Sequence, residues 1–254
     1  MKKQTVTLAI CTALLLTACG GDKDKDDRLP ADPGRSRIDD RQYDQRQAYH
    51  GTAYTVASSR SRTDNRDLEA LNGDDLGTLR IDGKTLPARQ VGIYVGGLPK
   101  LKTQGATVEG ISYKNYLISG DDYKNSRFGY ITHGGIDYVF SQGAFTQNMP
   151  TSGSARYEGD AAVGRDGITT AADADFNVNF SNRTVSGRIS PERDSAIRFD
   201  PVNIDARISG NAFYSEGKNV STSGHFYGKN AREMGGVFHD NKQELRGSFG
   251  AIRD

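Results

Sequence analysis

Tryptophan is absent from this 254-residue chain, cysteine occurs twice, methionine three times, proline seven times, and the formal net charge is only +1. Two cysteines are too few for a disulfide framework or a cysteine-rich zinc site. A charge this close to zero excludes an electrostatic nucleic-acid binder, which needs a basic excess. What the chain has in quantity is glycine, 30 residues, together with 12 tyrosines and 10 phenylalanines. Each glycine inside a helix costs about 1 kcal/mol, so the composition points to a β-rich polar protein. The length accommodates one large domain or two smaller ones, either able to bury a core.

The first residues carry an address. Met1-Lys2-Lys3 is a basic start, and the apolar stretch Val6 to Leu16 is shorter than the ~20 residues that span a bilayer as a helix. It fits the central region of a secretory signal. The segment ends in Leu16-Thr17-Ala18-Cys19, which resembles the lipobox of bacterial lipoproteins, where cleavage precedes the cysteine and lipid is added to its sulfur. Residues 1–18 are therefore expected to be a signal and Cys19 the lipidated first residue. Cys11 would leave with the signal, so no free thiol would remain. Loss of Lys2 and Lys3 would change the charge from +1 to −1. Several acyl chains give stable anchoring where one does not. Gly20 follows the cysteine in place of the aspartate that resembles an inner-membrane retention signal, so the outer membrane of a Gram-negative bacterium is expected.

Residues 19–48 read as a flexible tether. Asp22-Lys23-Asp24-Lys25-Asp26-Asp27-Arg28 and Arg35, Arg37, Asp39, Asp40 and Arg41 alternate in sign and are broken by Pro30 and Pro33. Such a segment buries too little apolar surface to offset its ordering entropy. Residues 49–150 follow as short β-branched or aromatic runs between turn residues: Tyr49–Ala57, Gly77–Ile81, Gln90–Val95, Ile111–Ser119, Arg127–Thr132 and Ile136–Gln142. His133-Gly134-Gly135 reads as a tight hairpin connection, and Leu68–Leu71 as a helical turn. Alternation is imperfect here, and the topology stays open.

The signal sharpens over residues 151–254. Ala174, Phe176, Val178 and Phe180 alternate with Asp175, Asn177 and Asn179, the mark of a half-buried strand. Val185 and Ile189 continue it after a Ser-Asn-Arg turn. Ile204, Ala206, Ile208, Gly210 and Ala212 read as one longer strand. Ala155–Ala162, Ala196–Phe199, Ser223–Tyr227, Gly235–His239 and Glu244–Ala251 bring the number to about eight, with Asp240-Asn241-Lys242 as a turn. Eight antiparallel strands close into a barrel whose interior side chains just fill it. Gly210, Gly224, Gly236, Gly247 and Gly250 are expected where strands bend. An outer-membrane barrel shows an apolar outward band. Here the outward positions are Asp175, Asn177, Asn179, Asp205, Arg207 and Ser209, so a soluble barrel is expected. The fold class is mainly β, an N-terminal β-rich handle followed by this eight-stranded antiparallel barrel.

The stretch Gly224-His225-Phe226-Tyr227-Gly228-Lys229-Asn230-Ala231-Arg232-Glu233-Met234-Gly235-Gly236-Val237-Phe238 resembles a signature of the transferrin-binding-protein-B-like surface lipoproteins. In those, a strand ends in Phe-Tyr-Gly, a short turn carries Ala-x-Glu, and Gly-Gly opens the next strand. Gly247–Arg253 looks like the closing strand of the same barrel and Ala155–Gly159 like its opening one. Physically, Gly228 and Gly235 would serve the turns, Phe226 and Phe238 the core, and Glu233 a cap. The size, one handle ahead of one barrel, is similar to that of the factor H-binding-protein-like members. The haemophilin group is a further relative and captures haem or haemoglobin.

No catalytic constellation emerges. The four histidines, His50, His133, His225 and His239, lack HxH or HxxxH spacing. His225 and His239 fall on adjacent strands, and a histidine with Tyr94, Tyr113, Tyr116 or Tyr123 is the arrangement that haem capture would use. Asp74-Asp75, Asp121-Asp122, Asp173 and Asp175 fall on turns or polar faces, whereas a glycosidase needs two carboxylates across a cleft. Ser152-Gly153-Ser154 and Ser221-Thr222-Ser223 lack the setting of a nucleophile elbow. Gly164-Arg165-Asp166-Gly167 and Gly92-x-x-x-Gly96-Gly97 lack a following helix to bind phosphate.

The tyrosines are the remaining feature, six of them lying between residues 90 and 140. Tyrosine and arginine anchor protein interfaces by burying area while keeping a polar tip. The expected binding face comprises Tyr94, Tyr113, Lys114, Tyr116, Tyr123, Lys124, Arg127 and Tyr130. Taken with the resemblance, the expectation is a surface lipoprotein that binds a host serum protein and catalyses nothing. A complement regulator stands first, and host iron or haem acquisition through transferrin, haemoglobin or haem is the alternative. No metal or resident cofactor is expected, no nucleic acid, membrane contact only through the lipid, and a monomer.

Overall fold

The computed structural model describes residues 48–59, 68–90, 96–98 and 105–254. The signal, Cys19, the tether, Tyr94 and residues 91–95 of one expected strand lie outside them. In chain order the strands are β1 (Tyr49–Ala57), β2 (Leu68–Gly73), β3 (Thr78–Ile81), β4 (Lys84–Pro87), β5 (Thr107–Val108), β6 (Ile111–Ser112), β7 (Asn115–Ile118), β8 (Ser126–His133), β9 (Ile136–Gly143), β10 (Ser154–Arg165), β11 (Ile168–Asn179), β12 (Thr184–Pro191), β13 (Val202–Ser209), β14 (Ala212–Glu216), β15 (Val220–Tyr227), β16 (Glu233–Asp240) and β17 (Leu245–Arg253). Among the described residues there is no α-helix.

Strands β10 to β17 form a closed up-and-down antiparallel barrel in which β17 returns to β10, from Tyr157↔Arg253 to Gly164↔Arg246. Alternation does the sorting. In β11, Ala174, Phe176 and Val178 are buried while Asp175 and Asn177 are exposed; in β13, Val202, Ile204, Ala206 and Ile208 alternate with exposed Asn203, Asp205 and Arg207. The interior is packed with rings, Phe176 on Phe249 at 4.8 Å and Phe213 on Phe226 at 5.5 Å. Phe226 and Phe238 are both fully buried.

Two strand readings are corrected. The run Ile204–Ala212 is a hairpin, because Gly210 (φ +60°) and Asn211 turn the chain between Ser209 and its partner Ala212. The segment Ala196–Phe199 is a loop, yet Ile197 and Phe199 are buried in the barrel core. An apolar i, i+2 pair thus closes the barrel from a connection and mimics a strand in sequence. The two differences cancel, and eight strands remain.

The N-terminal sheet has the order β2-β1-β9-β8-β7. Gly134 (φ +59°) and Gly135 (φ +78°) form the two-residue turn between β8 and β9, whose backbone twist suits a hairpin. Leu68–Leu71 is the start of edge strand β2, paired with β1 from Leu68↔Tyr54 to Gly73↔Tyr49, and no helical turn. A segment that short cannot repay helix nucleation.

Both faces of this sheet are covered. On one face Ala53, Tyr116, Ile118, Ile131, Tyr138 and Phe140 pack under the β3–β4 and β5–β6 hairpins. On the other, Tyr54, Leu117, Phe128, Tyr130 and Val139 pack against Ala162, Ala171 and Val237 of the barrel wall. The barrel receives two of these rings through glycine. A Cβ on Gly164 would lie 2.3 Å from the Tyr130 ring, and one on Gly250 2.4 Å from the Phe128 ring. Gly250 is thus a seat for a neighbouring side chain, where a strand bend was expected.

Three buried polar clusters join sheet and barrel. Asp137 accepts from Tyr130 Oη (2.6 Å), Thr132 Oγ1 (2.7 Å) and Ser58 Oγ (2.7 Å), and pairs with Arg246 Nη2 at 3.5 Å. Tyr123 Oη donates to Asp160 Oδ2 at 2.9 Å. Glu233 caps no helix. Its carboxylate accepts from the Asn125 backbone N–H, from Asn125 Nδ2 at 2.7 Å and from Ser126 Oγ at 2.6 Å, and burial pushes its pKa up. Gly228 (φ +72°) does serve a turn, whereas Gly235 lies inside β16 beneath Ser141 of the N-terminal sheet.

Candidate binding surfaces

The expected tyrosine face is largely interior. Tyr113, Tyr116, Tyr123 and Tyr130 are each no more than 2% exposed; Tyr116 and Tyr130 lie in β7 and β8, which alternate between two covered faces, and Tyr113 and Tyr123 pack from the flanking connections. Tyr116 turns outward under the β3–β4 hairpin and donates to Arg89 O at 2.8 Å. Tyr113 packs on it at 5.0 Å and on His133 at 5.4 Å. Tyr123 and Tyr130 turn toward the barrel. Burial raises the pKa of all four phenols above the ordinary value. Arg127 is half-buried, with Nη1 donating to Ser119 O (2.7 Å) and Gly120 O, and burial lowers its pKa. Lys114 and Lys124 alone among the described members of the set are exposed. An exposed face built of these rings is therefore corrected: Tyr113 and Tyr116 belong to the core under the hairpins, Tyr123 and Tyr130 to the core against the barrel, and of the described set only the two lysines are exposed. Tyr116, Tyr123 and Tyr130 serve as large side chains whose hydroxyls reach a backbone or carboxylate acceptor, whereas the buried Tyr113 hydroxyl has no hydrogen-bond partner among the described residues.

The histidines divide between structure and surface. His239 meets Ser221 Oγ at 2.7 Å and faces Tyr54 edge-on. The β15–β16 register pairs His239 with Ser221 and His225 with Gly235, which sets the two rings apart along the wall. Among the described residues no three His, Cys, Asp or Glu side chains group as metal ligands. His133 Nδ1 lies 2.9 Å from Ser112 O.

The remaining pair flanks a shallow depression of about 280 Å³ between edge strand β2 and β15, lined by His50, Thr52, Leu68, Leu71, Phe145 and His225. Phe145 stacks on His225 at 4.3 Å and tilts against His50 at 5.2 Å. His50 Nδ1 is 2.7 Å from Asn72 Oδ1. Sequence reading missed this cluster because its members lie as far as 175 residues apart and meet through the β1–β9 pairing and the bridge Phe145↔Tyr227.

Burial, with the nearby His50 adding to it, lowers the His225 pKa to about 4. The folded chain then refuses a proton that the unfolded chain accepts below about pH 6.5. This contribution to stability is complete above pH 6.5 and lost as pH falls toward 4, in total by about 3 kcal/mol. Urea unfolding of His225→Leu is expected to fall less steeply between those pH values than the wild type; parallel curves would refute the assignment.

Buried carboxylates elsewhere are structural. Asp240 accepts from the Lys242 and Gln243 backbone N–H groups in the β16–β17 turn, and Asp137 and Glu233 hold the seam.

Comparison with known proteins bears on what is recognised. Residues 149–253 match the family model described as the C-lobe and N-lobe beta barrels of transferrin-binding protein B. An uncharacterized protein of Haemophilus influenzae is 26% identical over 220 residues, covering 79% of this chain and 74% of that one. Transferrin-binding protein B of Moraxella catarrhalis is 32% identical over 181 residues, covering 56% of this chain and 25% of that one. A crystal structure of transferrin-binding protein B from Haemophilus parasuis shares the fold with a TM-score of 0.56 at 21% identity, over 81% of this chain and 45% of that one. The chain thus spans about a quarter of the Moraxella protein and less than half of the crystallised one. The resemblance read from Gly224–Phe238 holds, and the barrel is similar to the beta barrels of transferrin-binding protein B.

Proposed function

We propose that this chain is a surface lipoprotein of the Gram-negative outer membrane that captures a host iron-carrying protein, transferrin first. The observation that carries the reading is the 32% identity to a transferrin-binding protein B over 181 residues, joined to the family match of the whole barrel. Sequence expectation put a complement regulator ahead of iron acquisition. The matches favour the reverse order, because the Moraxella relative and the crystallised Haemophilus parasuis protein are both named for transferrin. One handle and one barrel together form the module that makes this capture. A body with both sheet faces buried and its buried carboxylates engaged supports binding without catalysis. Cys19 carries the lipid, and the residues after it lift the module off the membrane.

Biolayer interferometry of the purified chain against iron-loaded and iron-free transferrin, haemoglobin and factor H tests the reading. Saturable binding of transferrin, with none of factor H, is the expected result. Binding of factor H alone would restore the complement reading, and binding of none of them would remove both.

A further inference from the structure

One end of the barrel is cationic. It gathers the β11–β12 turn, the β13–β14 turn, the β15–β16 connection and the end of β17, as the backbone bonds Ile208 N→Arg183 O, Phe226 N→Asn211 O and Arg253 N→Arg232 O require. The cations of these turns are Arg183, Lys229, Arg232 and Arg253; Asp254 is the one acidic side chain beside them in the turns, and the carboxylate of Glu233, the first residue of β16, is buried on Asn125 and Ser126. The opposite end is mixed, with Asp166, Glu192, Asp194, Asp200 and Glu244 set among Arg193, Arg198, Lys218 and Lys242. Among the described residues none of the four cations forms an ion pair; the arginines that do are Arg80, Arg127, Arg156 and Arg246. Two of the four are nevertheless held in position. Arg232 Nη1 donates to Arg253 O, while Arg253 Nη1 donates to Asn230 O at 3.3 Å and its guanidinium lies over the Phe180 ring at 5.7 Å.

Within this end is a hollow of about 210 Å³ lined by Met149, Pro150, Thr151, Phe180, Ile208 and, at the rim, Arg183. Its floor, Phe180 and Ile208, is apolar and almost wholly buried. Thr151, Arg183 and Gly210 of its lining are exposed.

We infer that this barrel end is a docking surface for an acidic loop of the captured host protein, which seats one large apolar side chain in the Phe180–Ile208 hollow beside Arg183 and Arg253, cations that form no ion pair among the described residues. The inference rests on the capture reading and names the surface that performs it. A central apolar anchor surrounded by arginine is the usual composition of an interface hot spot, and complementary charge steers the encounter. An anionic membrane is a poorer fit, because membrane-surface segments project apolar side chains outward, whereas here the apolar atoms line a recess. Nucleic acid would require a basic stripe over the domain, and the outward wall of β11 and β13 carries aspartates.

Binding of the full chain to transferrin and haemoglobin is measured for wild type, Arg183→Glu/Arg232→Glu and Thr151→Trp, the last filling the hollow from its exposed rim. For the carrier that wild type binds, each variant is expected to weaken affinity about tenfold or more with unchanged unfolding, and wild-type affinity is expected to fall as salt rises. Wild-type binding that both variants retain would overturn this surface while leaving the capture reading intact. Failure of wild type to bind any carrier would overturn both. Vesicles of anionic phospholipid form the control arm; binding to them that the charge reversal abolishes, with carrier binding untouched, would assign the surface to lipid and overturn the inference.

Discussion

Replacing Asp137 by alanine is expected to lower the unfolding free energy by about 3–5 kcal/mol, because it leaves the Arg246 guanidinium buried without its carboxylate. Arg246 is 3% exposed and Asp137 wholly buried, so water cannot take the place of the lost partner. The same change leaves Tyr130, Thr132 and Ser58 without the acceptor their hydroxyls share. For a chain of this size the loss corresponds to roughly 10 °C in the thermal midpoint. Asp137→Asn should cost less, since it keeps one acceptor. The double variant Asp137→Ala/Arg246→Met should recover part of the loss, as replacing both members of a buried pair often does. Calorimetry or urea titration of the three variants measures this. A single substitution costing under about 1 kcal/mol would place the pair in the class of solvated bridges and contradict the buried geometry.

Cys19→Ser is expected to abolish lipid attachment and release the protein from the membrane fraction. The chain contains no other cysteine after residue 18, so no second thiol could accept the lipid. Metabolic labelling with an alkyne-bearing palmitate, followed by fractionation and protease shaving of intact cells, reads both consequences. Wild-type protein should be labelled, sediment with membranes and be cleaved from outside. Unlabelled wild-type protein would refute Cys19 as the anchor, and labelled but shaving-resistant protein would refute surface display.

The barrel was legible because one face of most of its strands is wet. Ala174, Phe176 and Val178 could be told from Asp175 and Asn177 by alternation alone, and a half-buried strand is the one element that advertises its register. The glycine turn at Gly210 was not legible, because Ala212 and Ile208 keep the same spacing whether the chain runs straight or reverses. The N-terminal sheet was harder for the opposite reason. Its central strands are buried on both faces and therefore carry no polar face, and Tyr116 and Tyr130 read as surface residues only because their hydroxyls disguise their packing role. The candidate binding surfaces were least legible of all. The Phe145–His225 stack and the Arg183–Phe180 hollow are assembled from residues brought together by strand pairing and by barrel closure, neither of which has a local sequence signal.

Strand β16 gives the closing consequence. All eight of its residues are buried, since Met234 and Phe238 face the barrel interior while Val237 and Glu233 meet the N-terminal sheet. A strand enclosed on both sides has no position at which substitution is free, and each replacement must satisfy two neighbours at once. Such a segment is expected to drift more slowly in evolution than the wet walls around it. That is a physical reason why kinship could be recognised from Gly224–Phe238, while the exposed loops that meet a partner are left to diversify.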